Sequence, residues 1–266
     1  MKKTERHAFA IENGRRSIRR FLEPVSALPR IEAASLGPFR VADESYALPR
    51  FAFTDPASIE PIRIGIFAGI HGDEPAGALA VVQFLRELAV HPEWAEGFHL
   101  QLYPICNPTG FEDNTRHSRR GADLNREFWK DSAEAEVRLL EDELRLGHFS
   151  GLIQLHADDT SDGIYGFVRG HTLTENLLRP ALREAGKILP RNRAATIDGF
   201  AARDGIIYDA YDGILAAPSQ MEPVPFEIIL ETPQLAPLDS QVNALVVALR
   251  TILSEYRQFM SFAANI

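Results

Sequence analysis

Ile62-Arg63-Ile64-Gly65-Ile66-Phe67-Ala68-Gly69-Ile70-His71-Gly72-Asp73-Glu74-Pro75 is the stretch on which the reading of this chain turns. Its first half is a short apolar run rich in isoleucine, the pattern of a strand buried on both faces. Gly69 and Gly72 permit tight turns directly after it. Pro75 suits the first turn of a helix, where its missing N–H costs nothing. Leu79, Val82, Leu85 and Leu88 then recur at helical spacing, so a helix over about 75–90 is expected.

The same alternation continues outward from that stretch. Leu100 to Ile105 reads as a strand, and Asp131 with Glu134 signals the start of a helix that carries Val137, Leu140 and Leu144 and closes at Gly147. Leu152 to Leu155 is a short strand. Thr172 with Glu175 opens a helix through Leu178 and Leu182. Phe226 to Leu230 is a strand, and Asp239 to Phe259 is a long amphipathic helix marked by Val242, Leu245, Leu249, Ile252 and Tyr256. Residues 1–60 are expected to be an irregular or β extension, with β-like pieces at Tyr46-Ala47-Leu48 and Phe51-Ala52-Phe53. Strands alternating with helices predict a single α/β domain, three-layer α/β/α around a mixed, largely parallel sheet. In such sheets functional residues gather just beyond the carboxyl ends of the strands.

Composition agrees with a globular chain. Of 266 residues, 45% are hydrophobic and 24% charged, which excludes collagenous and wholly disordered classes. Cys106 is the single cysteine and forms no intramolecular disulfide, in keeping with a reducing compartment. No apolar run approaches the roughly 20 residues that span a bilayer. The opening MKKTERHAFAIENGRRSIRRFLEP lacks the uninterrupted apolar stretch of a secretory signal. A cytoplasmic location is expected. With 28 Lys+Arg against 37 Asp+Glu, the formal net charge is −9, which argues against a nucleic-acid partner. The oligomeric state is left open.

Three strand ends carry residues of the metal-ligating type: His71 and Glu74, His156 after Leu155, and Glu231 after Leu230. A catalytic zinc takes three protein ligands from His and Asp/Glu and keeps a further position open. With eight histidines in the chain, His-x-x-Glu by itself has little weight. The next segment adds much more: Asn107-Pro108-Thr109-Gly110, then Arg116-His117-Ser118-Arg119-Arg120-Gly121-Ala122-Asp123-Leu124-Asn125-Arg126.

Taken together, His-Gly-Asp-Glu, Asn-Pro-Thr-Gly, Asp-Leu-Asn-Arg, a later Leu-His and a late Leu-Glu-Thr-Pro resemble the zinc metallocarboxypeptidase family, in order and spacing, over residues 62 to about 255. Asn107 to Phe128 looks closest to the murein peptide amidase branch, and His71 to Gly77 also looks like the succinylglutamate desuccinylase and aspartoacylase branch. The resemblance implies a carboxypeptidase-like fold, with His71, Glu74 and His156 holding one zinc ion. It implies Glu231 as the general base and acid, and Asp123 as a carboxylate that orients a ligating histidine. Asn125 and Arg126 match the pair that grips a substrate carboxylate, where a guanidinium fork gives bidentate recognition. Arg116 is the first choice for stabilising the oxyanion, with Arg120 as its competitor. Tyr208 resembles the mobile tyrosine that closes over substrate, and a packed tyrosine with a satisfied hydroxyl is the alternative. Glu127-Phe128 departs from the Asn-Phe common among relatives.

Other candidates favour plainer readings. Asp158 and Asp159 read as loop acids, and His91, His99, His117, His148 and His171 have no partner pattern. Cys106 reads as an inert buried thiol. Neither a Gly-x-Ser-x-Gly elbow nor a Walker loop occurs. The expected function is hydrolysis of an amide bond beside a free carboxylate in a small peptide. The alternative is an N-acyl amino acid deacylase, whose relatives carry an extra β domain after the glutamate; here residues 232–266 suffice for one helix. Ile214 and Leu215 are candidate pocket residues.

Overall fold

The structure, a computed structural model, describes residues 9–170 and 174–263. Its frame is a ten-stranded sheet. In chain order the strands are β1 Glu32–Val41, β2 Glu44–Thr54, β3 Ile62–Ala68, β4 Phe98–Tyr103, β5 Gly151–Asp158, β6 Tyr165–Gly170, β7 Thr196–Ile197, β8 Phe200–Arg203, β9 Ile206–Ile207 and β10 Phe226–Pro233. Their order across the sheet is β1-β2-β4-β3-β5-β10-β6-β9-β8-β7. The centre, β4-β3-β5-β10, is parallel throughout. β2 pairs antiparallel with β4, and β6 antiparallel with β10, so the sheet is mixed.

Period-2 alternation along the central strands divides the core into two layers. Ile64, Ile66, Leu100, Leu102, Ile153, Leu155, Ile228 and Leu230 face the helices Pro75–Val90 (α1), Thr174–Ala185 and Leu238–Ala263. Phe67, Tyr103 and Leu152 face the opposite way, onto the helix Ala135–Leu146. This is the three-layer α/β/α arrangement expected from the sequence. Strand β3 and helix α1 fall where the sequence places them, and the long last helix, Leu238–Ala263, begins one residue earlier and runs four residues further than expected.

Local differences have local causes. The helix expected to open at Asp131 begins instead at Ala135, with Glu134 as its cap residue. Asp131 stands at φ 53, outside the extended region that a capping residue needs. Ser132 Oγ accepts the Glu134 N–H in its place, at 3.2 Å. Gly147 closes this helix in a right-handed conformation, and the left-handed residue is His148 at φ 47. Thr172 and His171 lie outside the described residues. Residues 32–54 form a hairpin that continues the sheet rather than an extension laid upon it. Ahead of it, Phe9 and Phe21 pack against Phe111 with ring centroids 5.6 and 5.0 Å away.

Candidate metal centre

The loop that follows β3 is fixed from several sides. Gly69 turns it at φ 62, where a Cβ would stand only 3.0 Å from the Pro104 carbonyl oxygen. Gly72 lies so close to the start of the helix Pro108–Asp113 that a Cβ would meet the Gly110 carbonyl carbon at 1.9 Å. Only glycine fits there. Asn107 caps that helix by accepting the Gly110 N–H at 2.9 Å, and its amide donates to the Ile70 carbonyl at 3.2 Å. The Asn107-Pro108-Thr109-Gly110 motif is therefore a brace for the loop. Two further carbonyls are held from a distance: Gly72 O accepts from Arg16 Nη1 at 2.8 Å, and Asp73 O from Gln234 Nε2 at 2.9 Å.

Within the braced loop, His71 and Glu74 turn inward to meet His156 from β5. Ligand atoms of the three residues lie within 4.8 Å of one another, and all three side chains are buried. His71 Nδ1 is 2.6 Å from Glu74 Oε1, and His156 Nδ1 is 3.1 Å from Glu74 Oε2. The Ala157 N–H also donates to Glu74 Oε2, at 3.0 Å. Two imidazole nitrogens and a carboxylate converging on one point form a donor set that suits zinc, so the residues fit such an ion. On its far side His71 Nε2 lies 3.2 Å from Asp123 Oδ1, a contact that fixes the ring's orientation.

The electrostatics follow from this geometry. Burial opposes charge on Glu74, but the His71 charge and hydrogen bonds from both histidines outweigh it and hold the carboxyl far below its usual range. Burial lowers the pKa of His156. Burial would lower His71 as well, yet Glu74 and Asp123 reverse the shift and raise it.

Glu231 is placed by register. It is the partner of His156 across the parallel β5–β10 pair, and of Tyr165 across β6. Its carboxyl has no hydrogen-bond partner among the described residues, and burial followed by the charges of Glu74, Asp158 and Asp198 raises its pKa well above the ordinary value. Glu231 lines a cleft of about 340 Å³ with His71, Glu74, His156, Arg116, Asn125 and Arg126. Arg116 donates to Asp123 Oδ2 through Nε at 3.2 Å and Nη2 at 3.1 Å, and its Nη1 lies 3.4 Å from Glu74. Arg126 differs: among the described residues it has no carboxylate within ion-pair distance, and its guanidinium lies 4.1 Å from the Tyr211 ring centroid. Asn125 Oδ1 accepts the Leu215 N–H at 2.8 Å, which leaves the Asn125 amide group for the cleft.

Three expectations from the sequence, for Arg120, Tyr208 and Leu215, do not hold in this geometry. Arg120 is exposed and lines a separate depression with Phe39, Arg40 and Glu136, because the Ser118–Gly121 turn directs it away from the cleft. Tyr208 is 50% exposed, outside the cleft, with its hydroxyl on Glu175. Tyr211 occupies the wall instead, and its hydroxyl donates to the Asp198 carbonyl at 3.2 Å. Ile214 lines the cleft, whereas Leu215 packs into the layer of Phe67 and Leu152. Asp158 and Asp159 reach the rim. Sequence reading missed Tyr211, Asp198 and Gln234. Only Gln234 carried a signal, as it follows directly on the strand that bears Glu231.

Residues 62–190 match the succinylglutamate desuccinylase/aspartoacylase catalytic domain. Among solved structures, a candidate metallopeptidase from Shewanella baltica is 25% identical with a TM-score of 0.71, over 87% of this chain and 88% of that one. Another from Shewanella denitrificans is 26% identical at TM-score 0.71, covering 88% and 87%. A metallo-carboxypeptidase from Burkholderia cenocepacia, 17% identical at TM-score 0.68 over 91% of this chain and 68% of that one, shares the fold. No curated protein sequence matches. Residues 62–190 are thus similar to the succinylglutamate desuccinylase/aspartoacylase catalytic domain, and the chain as a whole has a fold similar to that of the metallopeptidase structures, with His71, Glu74 and His156 converging in it.

Proposed function

We propose that this protein is a zinc-dependent hydrolase of an amide bond adjacent to a free carboxylate, with His71, Glu74 and His156 as metal ligands and Glu231 as general base. The observation that carries the reading is the register of β5 and β10, which sets beside His156 a Glu231 carboxyl with no hydrogen-bond partner among the described residues. A bound zinc ion would polarise the substrate carbonyl and make a water nucleophilic at neutral pH. Glu231 takes the proton from the attacking water and returns it to the leaving nitrogen. Arg116, tied to Asp123 and still half-exposed, offers its guanidinium to the oxyanion. Arg126, which has no acid paired with it among the described residues, and the Asn125 amide together hold the substrate carboxylate. Asp123 keeps His71 in one tautomer through Nε2. Phe167, Ile214 and Ile229 give the cleft an apolar lining, suited to an aliphatic or aromatic group on the substrate.

A second reading, deacylation of N-acyl amino acids, is favoured by the domain matched over 62–190. Both chemistries use the same base and carboxylate grip, and they differ in the acyl side. Screening the zinc-loaded protein against C-terminal dipeptides, murein tripeptide and N-acyl amino acids, with products identified by mass, separates them. Turnover of none of these, or only of substrates without a free carboxylate, would overturn the proposal.

A further inference from the structure

We infer that Arg16, which precedes the matched domain, is a positioning residue of the metal loop: it fixes the Gly72 carbonyl and through it the separation of His71 and Glu74. The inference rests on the reading of His71, Glu74 and His156 as metal ligands.

Arg16 is 6% exposed, an unusual place for a guanidinium unless it is well satisfied. It stands between two aromatic rings, 4.5 Å from the Phe9 centroid and 5.5 Å from that of Phe111. Nη1 donates to Gly72 O at 2.8 Å, and Nη2 donates to Asn114 Oδ1. Asn114 closes the helix Pro108–Asp113 in the left-handed region, at φ 56. The fork thus ties the metal loop to the same helix whose start presses on Gly72. A lysine has one ammonium and cannot reproduce this two-armed geometry.

The loop has no strand or helix pairing of its own between Gly69 and Pro75. Its carbonyls at 70, 72 and 73 are held by Asn107, Arg16 and Gln234 respectively. Asn107 and Gln234 follow strands of the central sheet, whereas Arg16 arrives from an N-terminal segment that Phe9, Phe21 and Val25 anchor in the main core. Gly72 sits between the two loop ligands. A displaced Gly72 peptide moves His71 and Glu74 relative to each other, and groups that orient metal ligands typically contribute about 10–100-fold to affinity or activity.

The test is zinc titration of the metal-stripped full chain against a competing chromogenic chelator. Arg16→Ala is expected to weaken zinc binding about 10–100-fold, with Arg16→Lys intermediate. At saturating zinc the residual defect should fall on kcat rather than KM. Leu253→Ala, a buried truncation on the last helix, controls for general destabilisation. It should lower the melting temperature of the metal-free protein without changing zinc affinity. If Arg16→Ala does not fold, Arg16→Lys and Asn114→Ala carry the comparison, each with a smaller loss. Wild-type zinc affinity in the Arg16 variants, with only the melting temperature reduced, overturns the inference and leaves the functional reading standing. A wild-type protein that binds no zinc overturns both.

Discussion

The cleft wall that carries His71, Glu74, Asp123 and Arg116 is a lattice of hydrogen bonds, whereas the wall that carries Tyr211 and Ile214 is held mainly by packing. On the first wall each proposed ligand has a second partner: Asp123 behind His71, the Ala157 N–H behind Glu74, and Arg116 across the carboxylates of Glu74 and Asp123. On the second wall Tyr211 packs edge-on against Phe200 at 4.8 Å and under Arg126. The loop behind it is clipped at one end, where the Phe128 N–H donates to Gly213 O at 3.0 Å and Trp129 Nε1 donates to Ala216 O at 3.0 Å. Directional bonds fix atoms to tenths of an ångström, which a metal ion requires. Packing tolerates substitution of shape, which suits the wall that meets a variable substrate group. The first wall should therefore fail abruptly on mutation and the second by degrees.

The most abrupt failure is expected at the ligands. The double variant His71→Ala, His156→Ala should lose both zinc and activity while keeping its fold, since the core of this chain is large enough to stand without a metal. Metal analysis after dialysis, with circular dichroism alongside, checks both halves. Stoichiometric zinc retained in that variant would break the contrast between the walls at its root.

Glu231→Gln comes next. It should keep zinc and lower kcat at least about 10²–10⁴-fold, the usual contribution of positioned proton transfer. The same variant reports on the raised pKa. Burial, then Glu74, Asp158 and Asp198, lift this carboxyl well above 4.5. In the metal-free chain the folded state then holds the proton more tightly than the unfolded state does. The resulting stability is full below the ordinary value and falls as pH rises from there through the raised one. Glu231→Gln removes the dependence, so its metal-free melting temperature should exceed that of the wild type at about pH 8 and approach it near pH 4. A difference that stays constant with pH would mean that Glu231 titrates as an ordinary carboxyl.

Arg126→Ala tests where the two walls meet. Removing a guanidinium that pairs with a buried anion should cost a few kcal/mol in kcat/KM, about 10²-fold, for substrates with a free carboxylate. An amidated analogue should be poor for the wild type and lose little more in the variant. Equal losses on both substrates would make Arg126 a packing residue and remove the exopeptidase reading.

The difference between the walls also explains what could be read from sequence. His71, Glu74, Asp123, Asn125 and Arg126 lie in short motifs because their backbone contacts are local: a strand end, a glycine turn, a capped helix. Strand β3 and helix α1 were legible for the same reason. Tyr211 and Asp198 sit in a stretch of two- to four-residue strands and turns, where neither period 2 nor period 3.6 has room to show. The hairpin Glu32–Thr54 was legible only in its inner strand, where the β-like pieces at 46–48 and 51–53 fall. Its outer strand is an edge with mostly exposed side chains, so no apolar alternation marks it. Arg16 had no motif at all, since its partners at Gly72 and Asn114 are far away in sequence.

The smallest expected effect separates Tyr211 from Tyr208. Three residues apart in an irregular loop, they differ in what they touch: Tyr211 lies under Arg126 in the cleft, and Tyr208 is bound to Glu175 on its exterior. Tyr211→Phe keeps the ring beneath the guanidinium and loses only a hydroxyl bond to a backbone carbonyl, worth about 0.5–1.5 kcal/mol. A fall in kcat/KM of no more than about tenfold is expected. Tyr211→Leu removes the ring itself, and with it a cation–π contact of about 0.5–2 kcal/mol, so Arg126 is less well held and KM should rise further. Tyr208→Phe should leave both constants unchanged. Because Arg126 mediates the effect of Tyr211, the Tyr211→Leu loss should vanish in an Arg126→Ala background, which a double-mutant cycle measures. Additive losses would mean that Tyr211 meets the substrate directly. A larger loss at Tyr208 than at Tyr211 would mean that the loop swings on binding and brings the outer tyrosine in.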